Sequence, residues 1–228
     1  MRGFHFAVEE GSKQKLAGLS VGYIYFRGVR TEKSNPAVDM AIASASRAVA
    51  ERFSDTKSIA EDPVIKGIRA VFSKAGLDPT KERASGEALI RRIAGGQGLY
   101  RINAVVDANN AVSLLTGCPC GVYDLEKVEG DTVTLLVGGS GQAYEGIGGK
   151  QLNAENRILT ADAKGIFGGP TADSGRTCIT LGTKEVLMLI YHPPGAPKEM
   201  LAGAMKEAER LMKEAAGASV LRSGVFSV

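Results

Sequence analysis

Leu99–Asp124, LYRINAVVDANNAVSLLTGCPCGVYD, is the stretch whose reading decides the fold. Asn103 is a suitable helix cap, Val105, Val106, Val112 and Leu115 recur at helical spacing, and Gly117 is a natural stop, so the spacing predicts a helix over 104–116. The turn beyond it, Cys118-Pro119-Cys120, is prone to a cis peptide bond before the proline. The other helix face carries Asn103, Asp107, Asn110 and Ser113, with no Lys or Glu among them. Short amide and carboxylate side chains compete for local backbone groups and lower helix propensity, so a stripe of them has a use beyond solvation. Two uses stay open: a buried network bonding neighbouring loops, or the wall of a site.

On the N-terminal side, Phe4–Val8 and Gly22–Val29 are rich in β-formers and read as opening strands. Pro36 starts a helix to about Phe53, with Val38, Ile42, Ala45 and Val49 inward and Arg47, Glu51 and Arg52 as its solvated side. Asp62-Pro63 caps a helix that carries Ile65, Ile68, Phe72 and Ala75 and ends at Gly76. Ser85 is the expected cap of a short helix through Ile93. On the C-terminal side, short strands are expected at 132–137, 157–161, 176–180 and 184–192, with Pro193-Pro194 ending the last. Lys198–Ala216 is amphipathic, with a Met-rich face inward, and 218–228 returns as an edge strand.

A chain of 228 residues, 44% hydrophobic and 23% charged, suits one soluble domain over 1–228 with one substantial core. Helices around a mainly antiparallel sheet system with glycine turns give an α+β class. A net charge of +3 excludes nucleic-acid binding by bulk charge, so any RNA contact is local. Three cysteines, an odd number, with no signal-peptide pattern in MRGFHFAVEEG, point to a reducing cytoplasm. No apolar run approaches the roughly 20 residues of a membrane span.

The glycine-rich stretches are not a phosphate loop, because Gly149-Lys150 is followed by Gln151 and Tyr144 stands where the first glycine belongs. Cys118 and Cys120 lack the partners of a structural zinc site, and Cys178 lacks a base nearby in sequence, so neither a metal nor a cofactor is expected.

INAVVDANNAVSLLTGCPCGVYD resembles the editing domain of the bacterial phenylalanyl-tRNA synthetase β subunit, whose signature reads roughly I-N-N-V-V-D-x-T-N-Y-V and then G-x-P-x-H-A-F-D. The likeness continues through GDTVTLLVGGSGQAYEGIGGKQL, LTADAKGIFGG and TKEVLMLIY, covering about Pro79 to Tyr191. DPTKERASGEALIRRIAGGQGLYRIN is similar to freestanding single-domain relatives of that module. The resemblance implies a β-sandwich-like, mostly antiparallel core of unusual topology with helices packed around it. It also implies trans-acting hydrolysis of the ester of a mischarged aminoacyl-tRNA.

By the same resemblance, Asn110 matches the family asparagine and would place the hydrolytic water, while Asn109 replaces a threonine. Gly121 stands at the histidine position. Gly168 and Gly169 match the Gly-Gly turn of the pocket, Pro170 replaces a glutamate, and Asp173 is the nearest carboxylate that could stand in for it. An amide can hold water but cannot act as a general base near neutral pH. Arg91, Arg92 and Arg101 are candidates for RNA phosphates, and Arg83, Ser85 and Glu87 match the R-x-S-x-E of the freestanding relatives. The expected partners are the aminoacylated 3′ end of a tRNA and, second, a synthetase, with no membrane and no DNA. The rival reading is a non-catalytic module binding RNA or a small ligand. A small polar cavity between Asn110, Gly121 and Gly168 would suit an editor, and a filled one the rival.

Overall fold

Residues 4–53 and 55–228 are described in the structure, a computed structural model. In chain order the strands are β1 (His5–Val8), β2 (Ser20–Arg27), β3 (Cys120–Asp124), β4 (Thr132–Val137), β5 (Ala143–Glu145), β6 (Gln151–Asn153), β7 (Ile158–Asp162), β8 (Gly165–Gly168), β9 (Val186–His192) and β10 (Ser219–Ser227). The α-helices are α1 (Lys13–Leu16), α2 (Pro36–Arg52), α3 (Ser58–Glu61), α4 (Pro63–Ala75), α5 (Ser85–Ala94), α6 (Ala104–Thr116) and α7 (Lys198–Ala216).

Period-two alternation in the sheet β10-β2-β9-β3 sets the layers. Val21, Tyr25, Tyr123, Leu187, Leu189 and Tyr191 pack against Val133, Leu135, Val137, Ile158 and Phe167 of the second sheet, β1-β4-β7-β8. Ile24, Phe26, Val122, Val186, Met188 and Ile190 pack against α2, α6 and α7. Every residue of β9 is buried, which is why VLMLIYH reads as a continuous apolar run rather than an alternating one. Gly22 lets α7 lie close to β2, since a Cβ there would stand 2.9 Å from the Met205 sulfur. The strands pair antiparallel except β1 with β4. The α+β class and the sandwich-like core with surrounding helices are therefore found as expected. Among the described residues no helix is long and apolar enough to cross a membrane.

Four local expectations are corrected. No cis peptide bond occurs among the described residues, so the turn at Pro119 is built without one. The strand expected at 176–180 is instead a single 3₁₀ turn, Gly175–Thr177, where Ser174 caps the Arg176 N–H and the Arg176 guanidinium is fixed by Asp162. Ser85 is not the cap of α5; Ala84 holds that place and supplies no side-chain acceptor. Arg52 is not a simply solvated residue, because it ion-pairs with the buried Asp62.

Asp62 does two jobs with one carboxylate. Its Oδ1 accepts the N–H groups of Val64 (3.0 Å) and Ile65 (3.2 Å) at the start of α4, and its Oδ2 accepts Arg52. Asp62→Ala is expected to cost about 2 kcal/mol in urea unfolding, because a cap and a buried charge partner are lost together. Asp62→Asn keeps the cap and is expected to cost about half as much; equal losses would put the whole effect on the Arg52 pair.

Candidate functional site

β3 and β8 are edge strands of the two sheets, and the candidate residues gather around these edges. Helix α6 leads into the region with the predicted geometry: the Asn103 side chain accepts the Val106 N–H at 3.0 Å, and Gly117 ends the helix at φ 76°. The start of α5 closes over it. The Ser85 N–H donates to the Pro170 carbonyl at 2.8 Å, and a Cβ on Gly86 would meet the Gly117 oxygen at 2.5 Å.

On the side of β3 that faces the second sheet, Gly121 and Tyr123 alternate onto the same face. The Tyr123 ring folds back over the glycine, so that a Cβ on Gly121 would stand 2.2 Å from the tyrosine hydroxyl. A Cβ on Gly168 would meet the same hydroxyl at 2.5 Å and Asp173 Oδ1 at 2.4 Å. The space between Gly121 and Gly168 is thus filled by the phenol. Its hydroxyl donates to Asp173 Oδ1 at 2.8 Å, its ring meets Phe167 edge-on at 4.8 Å, and the Gly169 N–H approaches the same carboxylate oxygen at 3.4 Å. Burial pushes the Asp173 pKa up to about 6, although the two hydrogen bonds work the other way. Burial also raises the Tyr123 and Tyr191 hydroxyls above the usual phenol range, so both stay protonated at neutral pH.

On the helix side of β3, Asn109 is buried and donates through Nδ2 to the Cys120 carbonyl at 3.3 Å, while its Oδ1 has no partner. Ser113, one turn on, turns its hydroxyl to the Cys120 thiol. Asn110 is only half-buried and makes no side-chain hydrogen bond to a described residue, so it is Asn109 that is built into the site wall. Of the two uses of the polar stripe, the buried network is found: Asn103 and Asp107 are buried and structural, Asp107 accepting Arg101 Nε at 2.9 Å and the Ile102 N–H at 3.1 Å. Burial pushes Cys118 up to about 12 and raises Cys120 further, so neither thiol is a nucleophile at neutral pH.

Buried side-chain oxygens on Ser85, Asn109 and Thr171 lack a hydrogen-bond partner among the described residues, and all three belong to the segments joined here. Tyr191 connects through its N–H to Pro119 and stands beside Thr160 and Tyr123. Tyr123, Thr171 and Tyr191 escape a reading by motif. The available signal for Tyr123 is strand alternation, since a glycine two residues before a tyrosine leaves room for its ring.

The three candidate arginines are engaged. Arg91 bonds Glu87 and the Thr56 carbonyl; Arg92 lies 4.1 Å from the Tyr100 ring centroid and bonds Gly98 and Gln97; Arg101 bridges Asp39 and Asp107. They lie on or near α5 and the approach to α6 and do not join the Tyr123–Asp173 cluster.

Because the folded-state pKa of Asp173 is raised from 3.8 to about 6, its stabilising protonation is complete below about 3.8 and is lost as pH rises through 6. Asp173→Asn removes that loss. Between pH 4 and 7 the variant is expected to gain about 3 kcal/mol relative to the parent in urea unfolding, from about two pKa units at 1.36 kcal/mol each. A difference that does not change with pH would overturn the assignment.

The profile of the B3/4 domain matches residues 67–217, a span that contains 79–191. A comparison with curated proteins returns no match. An N-terminal fragment of the phenylalanyl-tRNA synthetase β subunit from Pyrococcus horikoshii aligns at TM-score 0.49 and 12% identity, over 96% of this chain and 51% of the fragment, so the chain spans about half its length. With two thirds of its residues under that profile, the chain belongs to the B3/4 domain family, a domain found in the phenylalanyl-tRNA synthetase β subunit.

Proposed function

We propose that this chain, acting as one cytoplasmic domain, binds the aminoacylated 3′ end of a tRNA and hydrolyses the ester of a mischarged amino acid in trans. The observation that carries this reading is the set of buried oxygens on Ser85, Asn109 and Thr171, without a partner among the described residues, near the turn at 117–121. Polar, partly unsatisfied and next to a carboxylate, it suits a held water and an ester carbonyl.

In this reading Asp173, on the second-sheet side of β3, holds the water and removes its proton, while Asn109 and Asn110, on the helix side, bind the terminal ribose of the substrate. Asp173 Oδ1 is occupied by Tyr123 and Gly169, whereas Oδ2 accepts no hydrogen bond from a described residue. A carboxylate with a pKa near 6 is mostly ionised at pH 7 yet basic enough to take a proton. The water oxygen bonds the carbonyl carbon, the bond to the ribose oxygen breaks, and the proton passes to that oxygen. Gly121, Gly168 and Gly169 shape the wall. The protonated thiols of Cys118 and Cys120 leave no covalent route through either of them. A synthetase is a second candidate partner, as the source of the mischarged tRNA.

One observation favours a second reading, a binding module without hydrolysis: the Tyr123 phenol occupies the space between Gly121 and Gly168. An aminoacyl side chain enters there only if that ring moves.

Deacylation of a panel of mischarged tRNAs separates the two. Hydrolysis of at least one pair is expected, rising with pH through about 6, with Asn110→Ala and Asp173→Asn each lowering the rate by about 100-fold. No hydrolysis across the panel, with tRNA still bound, would leave the binding module.

A further inference from the structure

One carboxylate at the start of α5 has three guanidinium groups around it. Glu87 is 2% exposed. Its Oε1 accepts Arg69 Nη2 and Arg91 Nε, each at 2.6 Å, and its Oε2 accepts Arg69 Nε at 2.8 Å. Arg91 lies four residues after Glu87 on α5, Arg83 lies in the coil just before that helix, and Arg69 comes from α4. Burial works against the charge on Glu87, but the Arg69 and Arg91 hydrogen bonds outweigh it and hold the carboxyl below its usual range.

Arg69 and Arg91 already satisfy the carboxylate, and Arg83 is surplus to it. Its Nε is 3.9 Å from Glu87 Oε1, its side chain is 46% exposed, and it makes no hydrogen bond to a described residue. Three positive charges against one negative leave the cluster at about +2. Neighbouring acids are committed elsewhere: Asp62 to Arg52 and Glu82 to Arg157. The Arg69 Nη1 and Arg91 Nη2 donors have no described partner either, so guanidinium N–H groups face outward around a fixed centre, the arrangement that recognises phosphate. The same helical turn brings Gly86 against the turn at Gly117 and Cys118, so the charge sits beside the entrance to the candidate site.

We propose that Arg69, Arg83 and Arg91, gathered around Glu87, form a binding surface for the phosphodiester backbone of an RNA whose 3′ end reaches the turn at 117–121. The identity of the RNA rests on the tRNA reading above. Arg83 is the free contact; Glu87 orders the other two, which form a fixed platform beside it.

The test is equilibrium binding of uncharged tRNA at several salt concentrations, for the parent, Arg83→Gln, Arg83→Lys and Arg210→Gln. Arg210, on α7, is paired with Glu207 and Glu214 and serves as the control. Loss of one phosphate contact flattens the slope of log affinity against log salt by about 0.9, which at 0.1 M salt is roughly an eightfold loss of affinity. That result is expected for Arg83→Gln at an unchanged melting temperature, with Arg83→Lys retaining most of the slope and Arg210→Gln all of it. An Arg83→Gln slope equal to that of the parent, or no binding by the parent, would overturn the proposal. Absent deacylation with the slope change intact would remove only the hydrolytic reading; deacylation with no slope change would remove only this surface.

Discussion

The sheet β10-β2-β9-β3 has to bury both faces, one against the second sheet and one against the helices, and the arrangement of the candidate site follows from that requirement. Alternation along its edge strand β3 sends Cys120 and Val122 to the helices and Gly121 and Tyr123 to the second sheet. The site is split accordingly. Asn109 and Ser113 meet one side of the strand, and Gly168, Gly169 and Asp173 meet the other. A shift of one residue in the β3–β9 register would exchange the two sides and put the phenol among the helices.

The parts of this fold that were legible in the sequence are those fixed by local chemistry. Asn103 and Gly117 bound α6, Asp62-Pro63 and Gly76 bound α4, and the 3.6-residue stripe of α7 predicts its buried face, because caps and periodicity act over a few residues. Elements decided by distant partners were not legible. Arg176 is held in a turn by Asp162 from another strand, and Arg52 is drawn from solvent by Asp62 from another helix. β5, β6 and β8 are three or four residues long in glycine-rich surroundings and have little pattern to read.

The site shows the same division. The resemblance named segments that the structure brings together, since Gly121, Gly168, Gly169 and Asp173 meet at the two sheet edges. It did not tell what stands between them. Glycine at both 121 and 168 leaves room, and in a close-packed interior room is taken. Tyr123 takes it, and its hydroxyl then needs an acceptor, which Asp173 provides. The substitutions are coupled through volume and hydrogen bonding and are not separate losses of function. Likewise Asn109 rather than Asn110 is drawn inward because the Cys120 carbonyl at the strand edge needs a donor.

A buried carboxylate held by Tyr123 and the Gly169 N–H is costly to keep charged, and burial has moved its pKa toward neutrality without reaching it. Two fully satisfying donors would pull the pKa down and make Asp173 an inert structural anion; no donor at all would leave it neutral at pH 7. With one good hydrogen bond, one long one and an unoccupied Oδ2, the group stays ionised but basic. The same incompleteness recurs in the buried oxygens of Ser85, Asn109 and Thr171 nearby. A region whose only task was to join two sheets would be more stable with those groups paired or replaced by apolar ones of the same shape.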